Sequence, residues 1–367
     1  MKLTRTTKVA ALAATGLLAL AACSDSGSSD SSSSASASPS NIDCASGTLS
    51  AEGSSAQGNA MTEWIKEYQT ACPDATVNYN PTGSGAGIQQ FLAGQVDFAG
   101  SDSALSAEDG EVADAKKRCD NNDAWNLPMV VGPIAVAYNL DGVDNLVLDA
   151  DTTAGIFNGE IKKWNDSKIA DLNSGASLPD ADITVFYRSD ESGTTDNFTK
   201  YLHAAAPDVW TKDPGKAWTG TGEGKPQSAG VQQATIANAN SISYMEWSFA
   251  KDGGLGVAEI DNGYGSPVTL DSQTAGAALE SAKITGSGND LSMSLDYTTS
   301  AANTYPIVLV TYEIVCSAGL PQNTTDLVKS FLTYTAGDGQ SLLEGIGYAP
   351  LPSSVQSKVE TSVAAIK

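Results

Sequence analysis

The 367 residues contain a single histidine, His203, and no Cys-x-x-Cys occurs among the five cysteines. Without a histidine cluster, paired cysteines or a dense group of carboxylates, neither a metal centre nor a cofactor is expected. Positive charge is scarce too: 20 lysines and arginines face 43 acids, giving a formal net charge of −23. Such a surface repels nucleic acid and anionic lipid headgroups, so neither is an expected partner. No Gly-Lys-Ser/Thr follows Gly83-Ser84-Gly85-Ala86-Gly87, which excludes a P-loop. Past the N-terminus, no stretch is long and apolar enough to span a bilayer.

What is there begins with Lys2, Arg5 and Lys8, followed by the apolar run Val9–Ala22. The run is short for a membrane span and ends in Leu20-Ala21-Ala22-Cys23, which fits a bacterial lipobox. Residues 1–23 are therefore expected to be a signal peptide, with Cys23 the lipidated N-terminus after processing. Residues 24–43 open with "SDSGSSDSSSSASASPS", which offers no large apolar side chain to bury. Such a segment is expected to be a flexible tether, with an average reach of roughly 20–25 Å. Anchor and tether together place the protein outside the cytoplasm, on the cell membrane. Loss of three positive charges with the signal takes the exported part to about −26, so any anion site has to work by local geometry.

About 325 residues remain, more than one core comfortably holds, and two lobes are expected. Strands alternate with helices: "TLSAEG" (48–53), a helix from Ser55 to Thr70, "TVNYNPT" (76–82), "GIQQFLAG" as helix, and "VDFAGSD" (96–102). This pattern indicates an α/β fold with a mostly parallel sheet. "MVVGPIAVAYN" (129–139) is read as a strand that carries the chain into a second lobe, and "YPIVLVTYEIVC" (305–316) as one that returns it. A helix over 324–336 follows. Glycine-rich stretches near 213–230 and 252–266 read as loops. Cys44, Cys72, Cys119 and Cys316 allow three disulfide pairings. A helix ending near Cys72 runs back toward Cys44, which favours Cys44–Cys72 with Cys119–Cys316.

Four segments share one order, in which a strand ends, small hydroxyl or glycine residues follow, and a helix starts. They are "EGSSAQGNAMTEW", "NPTGSGAGIQQF", "FAGSDSALSAED" and "YRSDESGTTDNF". Helix N-termini present free N–H groups and partial positive charge, and hydroxyls add donors. For any one segment the plain alternative is a helix cap, and Arg188 with Asp190 could form an ordinary surface pair. Their joint occurrence at strand ends points to an anion seat in a cleft between lobes.

These segments, with "IFNGEIKKWND", "SISYMEWSFAK" and "GYAPLPSSV", resemble in order and spacing the phosphate-binding protein family of the bacterial high-affinity phosphate ABC transporter. The resemblance implies a two-lobed periplasmic-binding-protein-like (type II) fold, with lobe 1 formed by 44–131 plus 306–367 and lobe 2 by 132–305. It also implies a monomer that delivers inorganic phosphate to membrane permease subunits and catalyses nothing. Ser55, the Ala56 N–H, Ser84 and Asp102 match phosphate ligands on one side, and Arg188, Ser192, Gly193 and Thr194 on the other. Asp190 matches an acid that orients the arginine. Ala56 departs from the family, some members of which carry an aromatic residue there. Asp109, Glu111 and Glu160 are expected to be exposed acids on a transporter-facing surface.

Phosphate keeps at least one proton at neutral pH and sulfate keeps none, so a carboxylate at 102 can accept from one and only repel the other. Three other readings compete: a receptor for another oxyanion such as sulfate or molybdate, a secreted phosphoryl-transfer enzyme using the serine of "DESGTT", and a tethered surface adhesin, which the tether allows and the cleft pattern does not require. The second lacks a base beside that serine, since His203 is the sole histidine.

Overall fold

The computed structural model describes residues 42–367. The expected signal peptide (1–23), its Cys23 and residues 24–41 of the expected tether lie outside the described residues. The chain then runs through β1 (Gly47–Gly53), α1 (Gly58–Ala71), β2 (Ala75–Asn80), α2 (Ser84–Leu92), β3 (Phe98–Ser101) and α3 (Glu111–Arg118). β1 pairs in parallel with β2 and β3, as strands joined by helical crossovers must. The long β4 (Ala124–Asn139) follows, then β5 (Val147–Asp149), α4 (Ala150–Phe157), α5 (Ser167–Leu172), β6 (Thr184–Arg188) and α6 (Gly193–Ala205). Next come β7 (Glu223–Lys225), α7 (Gln227–Ala237), β8 (Ser241–Glu246), α8 (Trp247–Asp252), β9 (Gly256–Val257), β10 (Glu259–Asp261) and α9 (Ser272–Glu280). The small hairpin β11 (Lys283–Ile284) and β12 (Met293–Ser294) precedes β13 (Val308–Cys316), α10 (Gln322–Ala336) and α11 (Ser353–Ala364).

The main sheet has the order β2-β1-β3-β13-β4-β8-β6-β7, with β9 also on β4. β4 is shared: Ala124–Pro133 pairs antiparallel with β13, and Ile134–Asn139 pairs antiparallel with β8. Both β13 and nearly all of β4 are buried, which explains their continuous apolar runs in place of alternation. The result is a two-lobed periplasmic-binding-protein fold with β4 and β13 at its centre. The ladder between these two strands slips once: Thr311 faces Val130, but Tyr312 faces Pro128. Met129 is thus an extra residue on β4, in a bulge where a strand proline is tolerated. The bulge lies next to Thr311, which reaches the cleft.

β1 and β3 approach unusually closely at their carboxyl ends. A Cβ on Gly53 would lie 2.0 Å from the Gly100 carbonyl oxygen, and Gly53 has φ +148, so this position requires glycine. The approach brings the residues after β1 against those after β3.

Several expected boundaries moved. The helix expected from Ser55 starts at Gly58, because residues 55–57 form a turn closed by Gly58 N–H donating to the Ser55 carbonyl. The stretch 213–230, expected as loop, contains β7 and the start of α7, and 252–266 contains β9 and β10. These strands have two or three residues each, too few to show a period. Among the described residues no helix is long and apolar enough to cross a membrane.

Two disulfides, Cys44–Cys72 and Cys119–Cys316, match the favoured pairing. The second joins the end of α3 to the end of β13 across 197 residues of chain, the first across 28. Closing the longer loop removes more chain entropy from the unfolded state. Replacing Cys119 and Cys316 by alanine is therefore expected to lower the unfolding free energy by about 2–5 kcal/mol, more than removing the other pair. Equilibrium urea denaturation of the two double variants checks the order.

Candidate functional site

The chain ends of β1, β3 and β6 lead directly into the residues expected to hold an anion, and all four segments meet between the lobes. After β1, Ser54 and Ser55 are buried in the turn before α1. Ser84 is the first residue of α2, and neither α1 nor α2 has a side-chain cap at its N-terminus. The capping alternative therefore does not account for the hydroxyls there. It does account for Ser192, whose Oγ accepts the Thr195 N–H at 3.2 Å and caps α6. No helix follows Asp102 directly, contrary to expectation: α3 begins only at Glu111, after turn residues ending in Gly110.

Asp102 is 3 % exposed and collects three hydroxyl donors. Ser54 Oγ reaches its Oδ1 at 2.6 Å, Thr311 Oγ1 the same oxygen at 2.8 Å, and Ser84 Oγ its Oδ2 at 3.2 Å. Burial pushes the carboxyl up to about 7 against the Ser54 hydroxyl; the charge of Glu246 adds to the rise, and Thr311 and Arg188 oppose it.

Arg188, 2 % exposed at the end of β6, faces it from the other lobe. Asp190 grips the guanidinium with both oxygens, Nε to Oδ1 at 2.9 Å and Nη2 to Oδ2 at 2.5 Å. This is a bidentate pair between a buried guanidinium and a half-buried carboxylate, not the surface pair considered above. Burial alone would raise the Asp190 carboxyl, but the hydrogen bonds and charge of Arg188 hold it below its ordinary value. With one edge committed to Asp190, Arg188 turns Nη1 toward Ser228 Oγ at 3.1 Å and Thr194 Oγ1 at 3.3 Å. Thr194 Oγ1 in turn donates to Glu246 Oε1 at 2.5 Å.

The lobes touch at this point. Ser55 Oγ lies 3.0 Å from Ser228 Oγ, and Asn197 Nδ2 donates to the Asp102 carbonyl at 2.7 Å. Ser103 Oγ donates to Asp196 Oδ2 at 2.5 Å. A Cβ on Gly193 would sit 2.5 Å from both Asp102 Cβ and Ser84 Oγ, so the α6 N-terminus can approach only without a side chain. A cavity of about 170 Å³, lined in part by Ser103, Asn197, Lys200 and Tyr297, runs up to Asp102.

Ser55, Ser84, Asp102, Arg188, Asp190, Gly193 and Thr194 are thus brought together, with Ser192 beneath them as a cap. Ala56 is present too, its N–H donating to Ser54 Oγ at 3.1 Å. Ser54, Thr311, Ser228 and Glu246 were not anticipated. Ser54 adjoins Ser55 and could have been suspected, whereas Thr311 and Ser228 sit in stretches whose local pattern gives no sign of a site. Glu111 is not an exposed acid: its Oε1 pairs with Lys216 Nζ at 3.0 Å, and both side chains are mostly buried. Asp109 and Glu160 are exposed. Among the described residues no group of three or more His, Cys, Asp or Glu is placed to hold a metal ion.

Residues 38–338 match the PBP superfamily domain. The phosphate-binding protein PstS 3 of Mycobacterium tuberculosis (strain ATCC 25618 / H37Rv) is 44% identical over 372 residues, covering 100% of each chain. PstS 2 of the same strain is 42% identical over 370 residues, again covering 100% of each. Among solved structures, a high-affinity periplasmic phosphate-binding protein (PfluDING) bound with phosphate superposes with a TM-score of 0.71. The overlap covers 86% of this chain and 93% of that one at 22% identity. The chain belongs to the PstS family of phosphate-binding proteins.

Proposed function

We propose that this protein is the extracytoplasmic receptor of a phosphate ABC transporter, capturing inorganic phosphate between its lobes and releasing it to the permease subunits. Ser55, the Ala56 N–H, Ser84 and Asp102 would hold the anion from lobe 1 (44–131 plus 306–367). Arg188, Ser192, Gly193 and Thr194 would hold it from lobe 2 (132–305). It acts as a monomer, held at the membrane through Cys23 and the tether. The relatives are named as binding proteins, which supports a receptor rather than an enzyme. Ser192 Oγ caps α6 by accepting the Thr195 N–H and keeps its O–H to donate to an anion, and His203 is exposed with Nδ1 3.0 Å from the Lys212 carbonyl oxygen rather than on Ser192. No nucleophile–base pair is therefore formed there.

The observation that carries the reading is the buried Asp102 opposite a guanidinium fixed by Asp190. The hydroxyls now turned to Asp102 can rotate toward a ligand oxygen, and a charge-assisted bond of this kind contributes about 1.5–3 kcal/mol. The Asp102 carboxylate then accepts the phosphate O–H, a pairing that sulfate cannot supply. Sites built to pair with a substrate O–H reject the analogue lacking it by about 10⁴–10⁵-fold.

Calorimetric titration of residues 42–367, stripped of bound anion, tests the reading: phosphate should bind at micromolar or tighter concentration and sulfate should not. Sulfate binding in its place would favour another oxyanion receptor. In Asp102→Asn the phosphate-over-sulfate ratio should shrink by at least about a hundredfold, because Asn can donate to a sulfate oxygen. An unchanged ratio removes Asp102 from the discrimination.

The pH dependence follows in sign. The Asp102 carboxyl is raised to about 7, so it is increasingly protonated below that pH and can then donate to sulfate. Sulfate binding should therefore strengthen as pH falls through about 7 in the unsubstituted protein, and lose that dependence in Asp102→Asn. Competition of sulfate against radiolabelled phosphate across that range measures it.

Closure gives a third expectation. Gly193→Ala places a methyl group against Asp102 and Ser84 and should weaken phosphate binding about a hundredfold or more. The radius of gyration in X-ray scattering should show a cleft that saturating phosphate no longer closes. Full closure of that variant would sink the steric account.

A further inference from the structure

Beneath Asp102 lies a second buried carboxyl that the binding reading does not use. Glu313, on β13, is 0 % exposed, and its backbone pairs with Gly100 of β3 and Leu127 of β4. Neither carboxyl oxygen has a hydrogen-bond partner, and the side-chain carbonyl of Gln57, also fully buried, has none either. Glu313 stands opposite Gly100 across the β13–β3 ladder, and the space over Gly100 is filled by the Gln57 amide, its Nε2 2.1 Å and Cδ 3.3 Å from where a Cβ would be, so the two side chains share one face of the sheet.

The orientation of the Gln57 amide is set by Tyr79. The single hydroxyl proton of Tyr79 goes to the Ser54 carbonyl at 2.8 Å, so its oxygen accepts from Gln57 Nε2 at 3.0 Å. Oε1 of Gln57 is therefore the atom left without a donor. Unpartnered acceptors on neighbouring buried side chains are costly, and an unpartnered buried carboxylate most of all. One proton on Glu313 resolves both.

We infer that Glu313 stands in the folded protein as a neutral carboxylic acid that donates to Gln57 Oε1, and that this pair is a positioning element of the anion site. It acts through a continuous chain, Gln57 to Tyr79 to the Ser54 carbonyl, with Ser54 Oγ on Asp102 at 2.6 Å. Thr311, on the same face of β13 two residues earlier, donates to the same Asp102 oxygen. Keeping Glu313 neutral keeps a second negative charge away from the carboxylate that is to face an anion.

The environment agrees. Burial pushes the Glu313 carboxyl up to about 8, with the Gln57 side chain opposing and the charge of Asp102 adding to the rise. The titratable groups that face it are Tyr79 from β2 and Asp102 from the turn after β3. Its strand neighbours Gly100 and Leu127 bring none. The sign is then fixed: the proton is held below about 8 and lost above it. Stability should fall as pH rises from the ordinary glutamate range to about 8 and level off above it, whereas anion affinity should fall as pH rises through about 8.

The inference rests on phosphate as the ligand for its functional half only, and the test separates the two. The infrared spectrum of protein carrying ¹³C at its glutamate carboxyl groups should show a protonated-acid C=O band near neutral pH. That band should vanish in Glu313→Gln and shift to higher frequency in Gln57→Met, which removes the acceptor. Between about pH 7 and pH 9, phosphate affinity of the unsubstituted protein should fall by on the order of tenfold more than that of Glu313→Gln. Absence of the band overturns the neutral acid, and parallel pH profiles overturn its role at the site. Should Glu313→Gln fail to fold, the band of the unsubstituted protein and its shift in Gln57→Met decide the inference. Failure of any form to bind phosphate would instead sink the receptor reading and leave the infrared result standing.

Discussion

Three hydroxyl hydrogens converge on one buried carboxylate, and the rest of the cleft is arranged around that fact. Asp102 can stay in the interior because Ser54, Ser84 and Thr311 donate to it and because a guanidinium stands opposite. Each of those donors comes from a different element, so this ring of hydroxyls closes around the carboxylate only when β1, α2, β3 and β13 are assembled. The glycine contact between β1 and β3, the bulge beside Thr311 and the uncapped start of α2 all serve to bring these hydroxyls to one point. A site of this kind stores its polarity in dipoles that are already oriented, so little reorganisation is needed when charge arrives.

This arrangement also reconciles an anion seat with a chain of net charge −23. Positive charge at the seat is a single guanidinium, and Asp190 neutralises much of it while fixing its direction. The remaining attraction comes from N–H and O–H groups in a dry environment, where they are stronger than in water. Surface charge is thereby uncoupled from the site. The same logic explains why carboxyls at the seat need individual management. Asp190 is paired with Arg188, Glu246 accepts from Thr194, Asp102 takes hydroxyls, and Glu313 holds a proton.

Much of this was legible in the chain. The alternation of strands and helices, the two crossing strands and the disulfide pairing all followed from apolar runs and spacing. The segments "GSSA", "GSG", "GSDS" and "RSDESGTT" were legible as candidate anion seats because each lies at a strand end, where backbone geometry and chemistry share one short motif, while the choice of individual residues within them came from the family resemblance. Where the reading fell short, the signal was too brief or too distant. β7, β9 and β10 are too short to carry a period, and α7 follows a glycine-rich stretch that reads as loop. Glu111 reads as a surface acid because its partner, Lys216, is 105 residues away. Thr311 lies in an apolar strand 209 residues from the carboxylate it serves.

By itself, the sequence determined the fold class, the order of the longer strands and helices and the types of group that line the cleft, since local pattern and composition decide those. Which hydroxyl serves which oxygen was decided only by tertiary structure. So were the burial of the Arg188–Asp190 pair, the lone acceptor on Gln57 and the meeting of Ser55 with Ser228. The physical reason is that hydrogen-bond partnership and desolvation depend on distances between groups far apart in the chain, and no local periodicity encodes those distances.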